Sequence, residues 1–384
     1  MPGCYPVATA PGTDLILKLR HYPARLPFLF LYDSRIIPAP KFAEPKSCNL
    51  VAALTSAGWE SRLIIHDLAQ RNGHADFARD VQRGLSSTPK QLFPKYLYDE
   101  LGSRLFEAIC EVEEYYLTRA EDEILANHAD DIVRAIPVCH TLIELGSGSA
   151  EKTRKVIDAF FRRQADLLFV PVDISASALE ESSHALLVSY PALQIEAYAA
   201  DYFQALDALK LTGSEPALVL FLGSNIGNFE PDDALHFLRA IRKVLRKGDA
   251  LLLGADLKKD AAMLEAAYND PLGVTRAFII NELARINREL GANIDLWAFG
   301  LRSVYNQSAG RVEVYLESLR DQTVGIRELN SSVQFKRGER IHMENAYKFD
   351  LEGLRELGAR SGFNLEYQWL DRGRRFSSNL FRAA

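Results

Sequence analysis

A chain of 384 residues, 48% hydrophobic and 25% charged, has the make-up of an ordinary globular protein and is long enough to bury two cooperating lobes. Its 45 basic and 51 acidic residues leave a net charge of −6, which argues against a nucleic-acid surface and favours a small-molecule ligand. Cys4, Cys48, Cys110 and Cys139 are scattered without a CxxC pair, and no apolar run reaches the roughly 18–20 residues of a membrane span. Reduced thiols, no metal, no membrane and a cytoplasmic setting are the expectations.

Residues 1–65 carry early prolines and no sustained periodicity, and they read as an extension without an assigned role. Within it, Leu26–Tyr32 is apolar but too short to cross a membrane. Order improves from Asp76. Leu105, Phe106, Ile109 and Val112 fall at helical spacing, and Ile124, Leu125, Ile132 and Val133 resume it after a break. Residues 66–120 therefore read as the helical part of a substrate lobe.

Strands and helices then alternate through a core at 121–256. Apolar runs at 141–146, 167–175, 193–202, 217–225 and 249–256 predict five strands. A helix such as 232–248, with basic residues in its last turn, stops at Gly248. The alternation predicts an α/β fold with a doubly wound, mostly parallel, Rossmann-like sheet. Residues 257–349 form a long insertion, with helices at its start and half-buried strands at 311–320 and 339–349. It reads as most of a second, α+β lobe. Residues 350–384 return to the sheet, where 364–371 and 377–383 read as a closing antiparallel hairpin.

The first strand ends in Gly146-Ser147-Gly148, which permits a tight turn and close approach of a ligand to the backbone. A dinucleotide fingerprint would place a third glycine where the chain has Glu151, so S-adenosylmethionine is favoured over NAD. Asp173 ends the second strand, where a carboxylate suits ribose hydroxyls and equally suits a helix cap. Asp201 and Tyr202, after the third strand, suit the adenine amino group and ring. Lys152 sits where the helix dipole disfavours a cation. Pairing with a ligand carboxylate explains that placement, and so does simple solvation.

From about residue 67 to the end, some four-fifths of the chain, the sequence resembles the histidine-specific N-methyltransferase family, whose members make trimethylhistidine (hercynine) in ergothioneine biosynthesis. The resemblance is carried by KYLYDELGSRLFEAICEVEEYYLTRAEDEIL, LIELGSGSAEKTRKVI, FVPVDIS, FLGSNIGNFEPDDA, GVTRAFIINELARINREL and RIHMENAYKF, in the family's order and spacing. It implies that Gly146, Lys152, Asp173, Asp201 and Tyr202 contact S-adenosylmethionine. It also implies that Tyr98, Phe106 and Tyr115 line the reacting centre, that Asn228 and Tyr268 hold an amino-acid substrate, and that Glu344 and Ala346 face its imidazole. Two-residue spacing puts Glu344 and Ala346 on one face of a strand.

Two positions depart from the family pattern. Ala346 stands where members commonly carry serine, which removes a hydrogen bond worth about 1 kcal/mol net. Val314, on a strand near the site by analogy, is smaller than the methionine some members use. Tyr98, or a water held by it, is the expected proton acceptor or relay, and Tyr115 and Phe106 would face the growing methylammonium. Read without the resemblance, Tyr115 equally suits a core position and Asn228 a left-handed turn. N-methylation of another aromatic amino acid such as tryptophan, a non-catalytic nucleotide-binding module and an NAD-dependent dehydrogenase are the alternatives.

Overall fold

The computed structural model describes residues 61–68, 73–209, 211 and 215–384. Cys4, Cys48 and Leu26–Tyr32 lie outside these, as does nearly all of the segment given no role. Its last residues do not. Leu63–Asp67 forms β1, which pairs in parallel with Leu193–Ala199. The boundary expected at residue 65 is thus corrected: it cuts through an edge strand. Most of this strand's side chains stay outside the core, so no apolar alternation marks it.

The helical segment comprises α1 (Gly73–Ser86), a short β2 (Lys90–Gln91), α2 (Glu100–Cys110) and α3 (Tyr116–Arg134). Asp99 caps α2, accepting from the Gly102 amide at 2.8 Å, and also accepts from Asn281 and Arg288 at 2.7 Å. Helix α3 serves two cores. Tyr116, Leu117, Ala120 and Ile124 pack with the inserted lobe, whereas Leu125, Ala129, Ile132 and Val133 pack beneath the main sheet. The division expected at residue 121 therefore falls inside one helix.

Next come β3 (Thr141–Leu145), α4 (Thr153–Phe161), β4 (Leu167–Asp173), α5 (Ala176–Ser189) and β5 (Leu193–Ala199). They are followed by α6 (Tyr202–Ala208), β6 (Ala217–Phe221), α7 (Pro231–Val244) and β7 (Ala250–Asp256). Every residue of β6 and β7 is buried, which is why these strands read as unbroken apolar runs.

The insertion holds α8 (Ala261–Ala267), α9 (Val274–Leu290) and five strands: β8 (Phe299–Asn306), β9 (Arg311–Ser318), β10 (Gln322–Ile326), β11 (Ser331–Phe335) and β12 (Arg340–Tyr347). Two of the five, β9 and β12, were expected. The last elements are α10 (Leu351–Arg360), β13 (Phe363–Leu370) and β14 (Phe376–Ala383).

The main sheet runs β1-β5-β4-β3-β6-β7-β14-β13, parallel as far as β7 and closed by the antiparallel β13–β14 hairpin. The chain winds outward from β3 and then returns to β6, so the topological switch lies between these two strands. Ligands bind at such a crevice, beyond the carboxyl ends of the strands. A second sheet, β2-β12-β9-β8, belongs to the inserted lobe.

The turn after β6 joins the two parts. A Cβ at Gly227 would lie 2.7 Å from the Tyr347 carbonyl oxygen, so only glycine lets this turn press against β12. Among the described residues no helix is long and apolar enough to cross a membrane.

Candidate functional site

The sheet edge comes first. Gly146 has φ +77°, and a Cβ there would sit 2.8 Å from the Tyr202 hydroxyl and 3.1 Å from Asn225 Nδ2. Both conformation and space require glycine. Asp173 braces this turn, accepting from the Gly148 amide through Oδ2 and from the Ser175 amide through Oδ1, each at 2.9 Å. Ser175, not Asp173, caps α5. Burial raises the Asp173 pKa, while these amides pull it back. A carboxylate offers about four acceptor sites, so capacity remains for a ligand hydroxyl.

Lys152 and Asp201 have local explanations for their placement. The Lys152 ammonium pairs with Glu121, a fully buried carboxylate that also accepts from the Gly223 amide at 2.9 Å. A ligand carboxylate is therefore not needed to offset the helix dipole at residue 152. Asp201 Oδ1 accepts from the Phe203 and Gln204 amides at 2.9 Å and completes a capping box with Gln204. Tyr202 packs edge-on to Phe221 at 5.5 Å between centroids.

Beside this edge lies a narrow cleft, partly open to solvent. Tyr98, Phe106, Tyr115, Asn228, Tyr268, Glu344 and Ala346 all line it, so seven residues scattered over 249 positions of sequence meet in one place. Asn225 also lines it and abuts Gly146, which makes the glycine turn and the cleft continuous. Asn228 closes a short 3-10 turn; the left-handed residue there is Ser224, so that alternative reading of Asn228 does not hold.

The cleft walls are aromatic. Tyr98 meets Phe106 at 5.7 Å and Phe278 at 5.4 Å, Phe106 meets Tyr115 at 6.1 Å, and Tyr115 meets Tyr268 at 6.3 Å, all edge-on. Such faces attract an alkylated ammonium through their quadrupoles. Burial, and then Glu344, holds the Tyr98 phenol well above its ordinary pKa. This favours the neutral phenol as a hydrogen-bonding group over a phenolate base. That narrows the expected acceptor role to orientation or relay.

Glu344 is only 9% exposed, and its carboxylate makes no hydrogen bond among the described residues. Burial raises its pKa to about 7, against a smaller pull from Lys348. Val314 lies opposite it in the β9–β12 register and is fully buried. A carboxylate so placed wants an N–H or cationic partner from a ligand.

The match to known proteins is long. Residues 77–383 fit the model of the family described as histidine-specific methyltransferase, SAM-dependent. The chain belongs to this family. It is 40% identical over 317 residues to the histidine N-alpha-methyltransferase of Mycobacterium tuberculosis, covering 83% of this chain and 98% of that one. It is 33% identical over 286 residues to ergothioneine biosynthesis protein 1 of Neurospora crassa, covering 73% of this chain and 32% of that longer one.

The methyltransferase thus uses S-adenosylmethionine. The sheet edge fits that group: glycine gives a close backbone approach, Asp173 keeps acceptor capacity for a ribose hydroxyl, and Glu151 stands where a pyrophosphate-binding turn would want glycine.

Several cleft residues of this methyltransferase escaped the sequence reading. Phe278, Thr275, Asn225 and Lys348 all line the cleft. Phe278 sits in an amphipathic helix and reads as core. Lys348 reads as a solvated surface charge, yet its side chain is 1% exposed. Asn225, in the quoted FLGSNIGNF block, was the most accessible to inference, as the polar residue three before Asn228.

Proposed function

We propose that the protein methylates the α-amino nitrogen of L-histidine, carrying it to trimethylhistidine (hercynine) in ergothioneine biosynthesis. The observation that supports this best is the aromatic cleft continuous with the glycine turn, with an unpartnered Glu344 carboxylate at one end. An imidazole N–H satisfies that carboxylate, whereas an apolar side chain would leave it buried and bare. Of the two relatives named above, one is named for histidine N-alpha-methylation and the other for ergothioneine biosynthesis, which supports the substrate and the pathway in turn.

When bound, S-adenosylmethionine supplies a methyl group activated as a sulfonium, so positive charge passes to nitrogen without being separated. The protein's share is then alignment and proximity. Asn228 and Tyr268 hold the α-amino and carboxylate groups, and Glu344 fixes the imidazole. Tyr98, neutral, accepts a hydrogen bond from the amine while an N–H remains and so aims its lone pair in the first two transfers; the dimethylated amine has no N–H left and is aligned by the carboxylate and imidazole contacts alone. The amine proton passes by way of that hydroxyl or a water to solvent before each transfer. Tyr115, Phe106 and Phe278 face the methylated nitrogen and favour its charge.

Purified protein incubated with S-adenosylmethionine and an amino-acid panel tests the reading by mass spectrometry. Additions of one to three methyl groups to histidine support it. Labelling confined to tryptophan or another amine overturns it.

A further inference from the structure

Behind the cleft lies a buried ionic cluster that the proposed chemistry does not use. Asp256, fully buried at the end of β7, accepts from Lys348 Nζ at 3.0 Å and from the Tyr116 hydroxyl at 2.8 Å, and it pairs with Lys259. Two ammonium groups thus face one carboxylate. The neighbouring charges are already matched, Glu121 with Lys152 and Asp371 with Arg375. Within this cluster one positive charge is left over, in a site nearly closed to water where it interacts more strongly than at a surface. Glu344, at the other end of the cleft, is the carboxylate it still acts on. Burial brings the Lys259 pKa down to about 8, with Asp256 opposing, while Asp256 and Tyr268 outweigh burial and hold Lys348 above its ordinary value.

Lys348 delivers this charge to the cleft through one side chain. Its Nζ donates to the Tyr268 hydroxyl at 2.9 Å and lies 4.7 Å from that ring's centroid. The Tyr268 oxygen is therefore already an acceptor, and its own proton is free to be donated to a ligand. A phenol polarised by an adjacent ammonium is a strong donor to an anion. Glu344, Ala346 and Lys348 follow one another at two-residue spacing and all line the cleft. At ~3.3 Å per residue, the α-carbons of Glu344 and Lys348 are about 13 Å apart. This stretch of chain presents an acid at one end, a small residue in the middle and a cation at the other.

We propose that Lys348, held by Asp256 and acting through the Tyr268 hydroxyl, is a positioning residue that makes this end of the cleft a receptor for a carboxylate, so that the enzyme selects amino acids over the corresponding amines and amides. The proposal rests on the reading of the cleft as an amino-acid site and adds the source of its selectivity.

The test compares L-histidine with histidinamide and histamine, which lack the carboxylate, in the full-length wild type and in Lys348→Met, Lys348→Arg and Tyr268→Phe. Methyl transfer is followed by mass spectrometry and binding by calorimetry. The wild type is expected to favour histidine over histidinamide at least 100-fold in kcat/KM. Lys348→Met and Tyr268→Phe are expected to shrink that ratio at least tenfold, mainly through the KM for histidine, and Lys348→Arg to restore part of it. An equal loss on all three substrates, or an unchanged ratio, overturns the proposal. Tyr268→Phe leaves the buried ion pairs intact, so it decides the matter if Lys348→Met does not fold. Carboxylate-dependent binding without methyl transfer would remove the proposed function and leave the receptor standing. Equal transfer to histidine and histidinamide by the wild type would do the reverse.

Discussion

In the parallel sheet the protein itself satisfies its buried carboxylates. Glu144 accepts from Thr153 at 2.6 and 2.7 Å, Asp249 from the Ala217 amide at 2.9 Å, Asp173 from the Gly148 amide in the glycine turn, and Glu121 from the Gly223 amide after β6. In the inserted lobe Glu344 is buried with no such partner, and Glu282 is fully enclosed with only the Phe93 backbone close to its carboxyl. The sheet has used these carboxylates to fix a shape, whereas the lobe has kept Glu344 for other work. A buried carboxyl left without a hydrogen-bond partner, more than charge itself, marks the substrate side of the molecule at Glu344.

That contrast can be broken by substitution, and Glu344 should give the largest effect. Glu344→Ala is expected to lower kcat/KM for histidine about 10–100-fold, since a hydrogen bond to a charged group contributes ~1.5–3 kcal/mol. Steady-state kinetics checks this. Glu344→Gln should also flatten the rate profile near neutrality. Burial puts the Glu344 pKa at about 7, so the carboxylate becomes available to an imidazole N–H as pH rises through that value.

Glu282 should act on stability instead. Burial raises its pKa from 4.5 to about 8, with Phe93 and Arg285 pulling less strongly the other way. Between those values the folded chain holds a proton that the unfolded chain has lost. The stability from that proton is complete below about pH 4.5 and is lost as pH rises through about 8. The slope is at most ~1.4 kcal/mol per pH unit. Glu282→Gln is expected to remove up to ~3.5 kcal/mol of the loss between pH 5 and 8, read from denaturant melts at the two pH values.

Asp201→Ala, on the sheet side, should cost about 1 kcal/mol of stability by removing a capping box, with a corresponding fall in the melting temperature. Ala346→Ser is the smallest change. It supplies a hydroxyl beside Glu344 and should lower the KM for histidine by up to about fivefold, ~1 kcal/mol, while leaving the melting temperature nearly unchanged.

The parts of the fold legible in the sequence are those where burial writes a pattern. Strands β3 to β7 are apolar because both faces are covered, and β13 and β14 stood out as a pair after the last helix. Strands β8, β10 and β11 were missed because solvent reaches part of each, and β10 contains Gly325. At the site, Gly146 and Asp173 could be placed by chemistry alone, as residues at the ends of successive strands. Tyr268 and Glu344 could not, and they emerged only through the family likeness, since a lone tyrosine or glutamate carries no local signal. The Asp256–Lys348 pair stayed hidden for a related reason. Isolated charges in a sequence read as surface, and only the fold brings these two together from 92 positions apart.

Helix α3 carries a last consequence. Its first two turns are part of one core and its last three part of another, so neither can melt without stripping half the helix of its support. The described residues should then unfold by heat or denaturant in a single cooperative transition, with far-UV and near-UV circular dichroism tracing the same curve. A polar substitution at Ile124 should shift that curve as a whole instead of splitting it in two.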